Sequence, residues 1–296
     1  MMKLQTPVTD EKCKVGISYN DRILMLGSCF SDNIGRQLSD FGFDVCINPF
    51  GTLYNPVSIL QSIRRLASGN NGMFCHDDLV QIGAGDERWC SFSHHTSFAR
   101  DNGEDFIDNA NARLHEAQAY FASCSKIVIT FGTSWCFRHT ERNMVVSNCL
   151  KRPASEFIRE RLSTRQVKEV LDNIAILCKG KELIFTVSPI RHFKDGAHGN
   201  QLSKSALLVG IDDFLEGLYV TPDNEGCCAA DYFPAYEIVM DELRDYRFYA
   251  EDMCHPTAQT TCYIRDRFLS WALPECEKVL LEEKIREHKR SCHISL

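Results

Sequence analysis

The stretch at residues 21–38, DRILMLGSCFSDNIGRQL, constrains the fold more than any other part of the chain. Residues 23–26 form a short unbroken apolar run, which predicts a strand buried on both faces of a parallel sheet. Gly27 ends this strand, and a helix is expected to follow with Ser31 or Asp32 as its N-cap. A buried strand, a turn and a helix in this order are typical of an α/β fold.

Ser28 and Cys29 fall in the turn between that strand and that helix, at the carboxyl edge of the predicted sheet. Open α/β sheets bind ligands at this edge. Free backbone N–H groups and the helix dipole favour an anion there, either a thiolate or a developing oxyanion. The turn alone leaves a second interpretation equally open, in which Ser28 only caps the helix and Cys29 is a small buried hydrophobe.

The rest of the chain alternates predicted strands with predicted helices. Further buried strands are predicted at residues 43–47, 126–131, 182–187 and 218–221. Helices are predicted at residues 57–66, 104–123, 164–178, 201–215, 235–246 and 256–271, followed by a charged helical tail from about Glu275. This alternation predicts an α/β three-layer sandwich with a central parallel sheet. Because no linker or composition break divides it, the chain is predicted to be a single domain over residues 1–296.

Two long segments show no clear periodicity. Residues 72–100 are rich in His, Trp and Phe, and they are interpreted as a lid or a pocket wall because long unstructured loops are usually functional. Residues 136–157 are expected to be irregular and polar.

Composition narrows the classes of function. The net charge of −7 argues against a nucleic-acid-binding surface, and no apolar run is long enough to span a bilayer. The N-terminal residues lack the apolar core of a signal peptide, so a cytoplasmic protein is expected. The 15 cysteines include no C-x-x-C pair, and they are expected to be reduced thiols rather than zinc ligands. The sequence also contains no phosphate-binding loop, zinc-protease motif or G-x-S-x-G elbow.

A D-x-x-H motif formed by Asp252 and His255 lies just before the last predicted helix. Its carboxylate can hold one imidazole nitrogen and leave the other facing a pocket as a general base. A nucleophile after the first strand and this base would meet at the same sheet edge. The spacing alone is more typical of a simple polar pair at a helix start.

Four further stretches stand out, namely LGSCFS at 26–31, SPIRH at 188–192, DGAHGNQ at 195–201 and YFPAYEIVMDELRDYRFYAEDMCHP at 232–256. Through these stretches the chain resembles the GSCFA domain family of bacterial proteins, and the resemblance covers nearly its whole length. Ser31 stands where the family's first motif has alanine. The family is regarded as related to the SGNH, or GDSL-like, hydrolases, so the resemblance implies a flavodoxin-like sheet of that type.

The resemblance to the SGNH pattern implies a nucleophile, a base and an orienting carboxylate. The G-D-S block falls on residues 27–29, which puts Cys29 in the place of the nucleophilic serine. A locally shifted register with Ser28 as the nucleophile remains open. Asp252 and His255 match the D-x-x-H block in full.

The same resemblance implies two groups of an oxyanion hole. The glycine block, whose N–H is one donor, falls on Gly51. The G-x-N-D block falls on residues 132–135, so Ser134 stands in place of the asparagine donor. A hydroxyl is shorter than a carboxamide but can still donate a hydrogen bond.

Five further residues are candidates for substrate binding, and the first four of them have a plainer alternative: Arg191, His192, Trp135, His95 and Asn148. The first two either bind an anionic group or tie down the following loop. Trp135 either stacks on a sugar or packs in the core. His95 either lines a pocket or is an ordinary loop histidine, and Asn148 is expected to face inward.

The resemblance implies an SGNH-like hydrolase or acyltransferase that uses a covalent acyl-enzyme and needs no metal or other cofactor. Its partner is expected to be a small-molecule or carbohydrate acyl ester, with no nucleic acid and no membrane. The alternative is a catalytically inactive carbohydrate- or acyl-binding protein of the same fold.

Overall fold

The computed structural model describes residues 6–9, 13–220 and 228–294, and ten strands and eight α-helices lie within those ranges. The strands are β1 (Arg22–Gly27), β2 (Asp44–Ile47), β3 (Leu79–Gln81), β4 (Trp89–Ser91), β5 (Lys126–Phe131), β6 (Trp135–His139), β7 (Met144–Val146), β8 (Phe157–Arg161), β9 (Glu182–Val187) and β10 (Ala230–Phe233). The helices are α1 (Cys29–Asp40), α2 (Pro56–Ala67), α3 (Gly103–Ser123), α4 (Thr164–Leu177), α5 (Gly196–Val220), α6 (Ala235–Glu237), α7 (Ala258–Ala272) and α8 (Lys278–Ile294).

The central sheet has five parallel strands in the spatial order β2-β1-β5-β9-β10. In chain order, β1 is the first strand of this sheet, β2 pairs with it on one side, and β5 pairs with it on the other side. The strand order therefore reverses between β1 and β5, which is the place where doubly wound sheets open a crevice for ligands. The predicted three-layer α/β sandwich is confirmed.

Both faces of the central sheet are covered by helices, and this explains the apolar run of β1. Leu24 and Leu26 pack into the cluster that contains residues of α2, α3, α4 and α5. Ile23 and Met25 pack into the opposite cluster with α1 and α7. Every position of the run is therefore in a core, and each such side chain contributes about 1.5–3 kcal/mol by leaving water.

The helix after β1 begins three or four residues earlier than the sequence predicts. Ser28 is its N-cap, and the Ser28 hydroxyl accepts a hydrogen bond from the backbone N–H of Phe30 at 3.3 Å. Ser31 cannot cap because its hydroxyl is buried under the turn, where it donates to Leu26 O and to Thr130 Oγ1. Cys29 is thus the first residue of α1 rather than a loop residue before it.

The predicted strand at 218–221 is wrong for the described residues, because α5 continues to Val220 and residue 221 lies outside them. Leu218 packs against the core that α4 and α5 share, and this packing overrides the β-propensity of Tyr219 and Val220. The fifth strand of the sheet is instead β10, whose Asp231 interrupts an apolar pattern that would have marked it.

The helix predicted at 235–246 is shorter and differently wound. The three residues of α6 lead into a π-helix at Ile238–Leu243, which ends at Arg244 in the left-handed conformation, with φ 47°. π-Helical turns inside helices are frequent at functional sites.

The two segments predicted to be irregular contain small antiparallel sheets. β3 and β4 pair within residues 72–100, and their neighbours Phe92 and Phe98 are buried in the core. β6 pairs with both β7 and β8 in a three-stranded sheet. Phe74, Phe92 and Phe98 of residues 72–100 are buried in the core. The interpretation of this segment as a lid or a pocket wall stays a prediction.

The charged segment after Glu275 forms α8, as predicted. Among the described residues, no helix is both long enough and apolar enough to cross a bilayer.

Candidate active site

A cleft of about 810 Å³ opens at the carboxyl edge of the central sheet, where the strand order reverses. Residues that follow β1, β5 and β9 line it, together with the start of α2 and the sheet of β6, β7 and β8. The lining includes Ser28, Cys29, Tyr54, Thr133, Trp135, Asn148, Arg159, Arg191, His192, Asp195, Cys254 and His255. The carboxyl edge predicted from the sequence is therefore the edge that carries the cleft.

Cys29 and Ser28 differ in how they meet the cleft. Ser28 is 1% exposed, and its hydroxyl is engaged as the N-cap of α1. Cys29 is partly exposed and occupies the first turn of the helix, so its sulfur is the more accessible nucleophile. This arrangement favours Cys29 over Ser28.

Asn48 and Gly27 fix the turn that presents Cys29. Asn48 Oδ1 accepts the Gly27 N–H at 2.8 Å, and Asn48 Nδ2 donates to Asp32 Oδ1 in α1 at 2.6 Å. Gly27 has φ 139°, and a Cβ there would lie 2.2 Å from Thr130 O. The backbone can therefore turn so sharply next to β5 only with glycine at this position.

Replacing Asn48 with alanine is expected to lower the free energy of unfolding by about 1–3 kcal/mol, because the buried Gly27 N–H loses its acceptor. Asn48 has φ 43°, so alanine also adds left-handed strain that glycine avoids. Urea unfolding of Asn48→Ala and Asn48→Gly separates the two effects. Wild-type stability in Asn48→Gly would show that the side-chain hydrogen bonds do not hold the turn.

The Cys29 thiol is protonated at rest. Burial raises the pKa of Cys29 to about 11, and the nearby Asp32 carboxylate raises it further. The backbone N–H groups of Cys29 and Phe30 lower this pKa but do not outweigh burial. Of the two anions that the sequence favours at the helix N-terminus, a thiolate or a developing oxyanion, the resting site therefore does not hold the thiolate, and attack by Cys29 requires a base.

Asp252 and His255 form the hydrogen-bonded pair that the D-x-x-H spacing predicts. Asp252 Oδ2 lies 2.6 Å from His255 Nδ1, and Asp252 Oδ1 accepts the backbone N–H groups of Cys254 and His255, each at 2.9 Å. These hydrogen bonds lower the pKa of Asp252 to about 2, so the carboxylate is ionised. An ionised Asp252 assigns the proton to Nδ1 and leaves Nε2 of His255 as the basic nitrogen.

Arg191 holds the loop that carries this pair by donating two hydrogen bonds. The Arg191 backbone N–H donates to Cys254 O at 3.1 Å, and its Nη1 donates to Met253 O at 3.2 Å. Met253 has φ 53°, an uncommon conformation for a residue with a side chain. Arg191 therefore supports the strained residue between Asp252 and His255.

The turn after β1 and the D-x-x-H loop line one cleft, and both lie within a single match to a protein family. The model of the GSCFA family matches residues 22–268, from the start of β1 into α7. The chain belongs to the GSCFA family. The resemblance drawn from the motifs is thereby confirmed, although membership alone assigns no reaction. No protein with a curated description matches the chain.

In this GSCFA chain, the two groups predicted for the oxyanion hole are engaged elsewhere. The Gly51 N–H donates to Asn48 O at 2.7 Å, and Gly51 does not line the cleft. Ser134 is fully buried, with its N–H donating to Ser203 Oγ at 2.8 Å and its hydroxyl 3.2 Å from the same atom. The backbone N–H groups of Cys29 and Phe30 lie near enough to the sulfur to lower the pKa of the thiol.

Four of the five predicted substrate-binding residues line the cleft, namely Arg191, His192, Trp135 and Asn148. The Arg159 guanidinium lies over the Trp135 ring, 4.2 Å from its centre, and so covers part of it. Burial lowers the pKa of His192 to about 4, so this imidazole is neutral. His95 lies outside the cleft, where its Nδ1 contacts Ser97 Oγ at 3.0 Å.

Lys204 is a charged residue beneath the cleft that the sequence reasoning missed. It is 1% exposed, and its Nζ donates to Gly132 O after β5 and to Ser188 O after β9, both at 2.6 Å. Burial lowers the pKa of Lys204 to about 7. Its place on the buried stripe of α5 with Leu207, Ile211 and Phe214 was the available sequence signal.

Asp252, Cys254 and His255 offer three metal-ligating atoms within 4.8 Å of one another. Each is engaged, because Asp252 and His255 bind each other and the Cys254 thiol donates to Arg191 O at 2.6 Å. A cation at this position would compete with the hydrogen bond that orients His255.

Proposed function

We propose that the chain forms a thioester between an acyl group and Cys29 and passes that acyl group to water or to another acceptor. The observation that carries the proposal is the shared cleft of Cys29 and His255, with His255 Nδ1 held by the Asp252 carboxylate. A nucleophile, a base and an orienting carboxylate are the parts that covalent acyl transfer needs. The chain would then be a cysteine counterpart of the SGNH hydrolases.

The first half-reaction moves one proton and exchanges one bond. His255 Nε2 takes the proton of Cys29 Sγ while the sulfur attacks the acyl carbonyl carbon. Collapse of the tetrahedral intermediate breaks the ester or amide bond, and the leaving alcohol or amine takes the proton from His255. The Cys29 N–H would stabilise the oxyanion between these events, because the Phe30 N–H is already donated to Ser28 Oγ at 3.3 Å.

The second half-reaction returns the enzyme to its starting state. Water or an acceptor hydroxyl gives a proton to His255 and attacks the thioester carbonyl. The C–S bond breaks, the acid or new ester leaves, and Cys29 recovers its proton from His255. Thioesters exchange acyl groups readily, so the same residues serve hydrolysis and transfer.

The acyl carrier is proposed to be a carbohydrate or another polar molecule. Trp135 and Phe137 give the cleft an aromatic wall, while Asn148 and Asp195 supply polar atoms beside it. Aromatic rings that pack against a ligand, with a few fixed polar groups, are typical of small-molecule sites.

A binding protein without catalysis is the second candidate. The observation that favours it is the engagement of Gly51 and Ser134 by other groups, which removes the two predicted oxyanion donors. Loss of one such donor typically costs about 10²–10³ in turnover. A binding protein would be stabilised by its ligand without ever forming an adduct.

Brief exposure to p-nitrophenyl acetate is expected to place one acetyl group on Cys29, as seen by intact mass and peptide mapping. Cys29→Ala should lose this rapid label. In Ser28→Ala the label should stay on Cys29, because Ser28 acts through its hydroxyl as a helix cap.

A background variant that lacks the exposed Cys75 and Cys276 serves as the control for unspecific labelling. An acetyl group on Ser28 would replace the thiol route with a serine route. Slow labelling spread over many cysteines, unchanged in Cys29→Ala, would leave the binding protein as the better account.

A further inference from the structure

A second cavity of about 430 Å³ adjoins the Cys29 cleft and shares with it the wall of Arg191, His192 and Phe193. The start of α5 and the π-helix form its other sides. We call it the tyrosine pocket, after the three tyrosines in its lining, Tyr236, Tyr246 and Tyr249.

The rings of the tyrosine pocket form an apolar surface. The Tyr236 hydroxyl donates to Gln201 Oε1 at 2.8 Å, and the Tyr249 hydroxyl donates to Pro189 O at 3.4 Å. These two tyrosines are nearly buried, whereas Tyr246 and Phe193 at the rim are 67% and 51% exposed. Exposed aromatic side chains around a concavity are typical of a surface that a ligand covers.

The Arg191 guanidinium lies among these rings with donors to spare. Its centre is 4.7 Å from the Phe193 ring and 5.6 Å from the rings of Tyr246 and Tyr249. Within the described residues, the Arg191 side chain donates one hydrogen bond, to the backbone oxygen of Met253, and no carboxylate pairs with the guanidinium. Since a guanidinium has five N–H donors, most of them are left for a ligand.

The other charges of the pocket do not cancel Arg191. The Asp245 carboxylate is engaged by the Arg247 guanidinium at 2.8 Å and by the Arg247 N–H at 2.9 Å. Arg244 lies at the rim, 77% exposed and 3.7 Å from Asp241. A planar cation with free donors beside aromatic rings matches an oxyanion carried on an apolar body.

We propose that the tyrosine pocket binds a carboxylate or phosphate group attached to an aromatic or apolar body, held by Arg191 and stacked on the tyrosines. The inference rests on the proposed function in one respect, namely that this anionic group belongs to the acyl donor or the acyl acceptor. Arg191 Nη1 also holds Met253 O in the loop of Asp252 and His255, so a ligand on Arg191 would lie next to the catalytic pair.

Calorimetric titration with phenyl phosphate, benzoate and neutral benzamide tests this pocket. At least one anion is expected to bind at least about tenfold more tightly than benzamide, because a charge-assisted hydrogen bond to Arg191 is lost with the neutral probe. The better anion distinguishes a phosphate ligand from a carboxylate ligand. Equal binding of all three probes, or none, would overturn the proposal.

Arg191→Gln should weaken anion binding by about tenfold or more. Because Arg191 also supports the catalytic loop, Tyr246→Ala is the second variant, and it should weaken binding of the anions without touching that loop. Phe137→Ala and Cys29→Ala, both in the neighbouring cleft, should bind the probes as the wild type does. Loss of binding in these two variants, with Tyr246→Ala unaffected, would place the ligand in the Cys29 cleft and overturn the proposal.

The experiments distinguish failure of the acyl-enzyme proposal from failure of the tyrosine-pocket proposal. Anion binding without any adduct on Cys29 would support the tyrosine pocket and contradict the acyl-enzyme. An adduct on Cys29 with no preference for the anionic probes would support the acyl-enzyme and contradict the pocket.

Discussion

Acetylation of Cys29 is expected to slow by roughly 10²–10⁴-fold when His255 is replaced by alanine, which is the usual contribution of a positioned general base. The reason is the pKa of Cys29, which burial raises to about 11. At pH 7, four units lower, only about one thiol in 10⁴ is ionised, so attack without a base starts from a rare species. Rapid-quench mass spectrometry of the Cys29 peptide gives the rate.

The pH dependence separates a general base from a merely structural histidine. In His255→Ala, the rate should rise about tenfold for each pH unit between pH 7 and 10, because only the thiolate reacts and its fraction grows toward the pKa of about 11. In the wild type the dependence should be shallower, because His255 removes the proton during attack. Parallel profiles in the two proteins would contradict the assignment of His255 as base.

Two variants serve as controls for this prediction. His115→Ala removes an exposed histidine on α3 and should acetylate at the wild-type rate. Asp252→Asn should fall between the wild type and His255→Ala, because it leaves the imidazole in place but removes the carboxylate that fixes its orientation. EDTA should leave all these rates unchanged if the pair acts without a cation.

The cleft was predictable where its residues depend on local sequence. The apolar run of β1 followed by glycine predicted a strand and a turn, and parallel strands bring such turns to one edge of the sheet. The Asp252–His255 contact was predictable because both ends of D-x-x-H lie within one loop.

The parts that failed depend on contacts between distant residues. Ser134 looks free at the end of β5, but Ser203 from α5 takes both its N–H and its hydroxyl. Gly51 follows β2 as expected, yet its φ of 81° closes a turn onto Asn48 instead of opening toward the cleft. The protonation of the resting Cys29 thiol could not be predicted either, because burial depends on the whole fold and here outweighs the helix N-terminus.

The burial of Lys204 could have been predicted from its position on an apolar stripe of the sequence. Lys204 lies three, seven and ten residues before Leu207, Ile211 and Phe214, which form the buried stripe of α5. A lysine on such a stripe must find partners inside the protein, and here they are the carbonyl groups of Gly132 and Ser188. Lys204 thereby ties the ends of β5 and β9 together under the cleft.

Replacing Lys204 with methionine is expected to change how stability depends on pH. Burial lowers the pKa of Lys204 to about 7 in the folded protein, whereas an unfolded lysine titrates near its ordinary value of 10.5. Between these values the unfolded chain binds the extra proton, so wild-type stability should rise with pH. A neutral amine still has two N–H donors, so both carbonyl groups keep their hydrogen bonds as the proton leaves.

The expected difference is large enough to measure by urea unfolding at several pH values. From pH 7 to 9 the wild type should gain roughly 2 kcal/mol relative to Lys204→Met, since each pKa unit corresponds to about 1.4 kcal/mol. Buried thiols such as Cys46 and Cys90, whose pKa is raised to about 11, make both proteins less stable at high pH and cancel in the comparison. Leu207→Ala, a neutral truncation on the same stripe, should instead lower stability by a similar amount at every pH.

If the Lys204→Met curve ran parallel to that of the wild type, Lys204 would have to keep its proton throughout this range. A permanent ammonium would then hold β5 and β9 together, rather than an amine that changes charge near neutral pH.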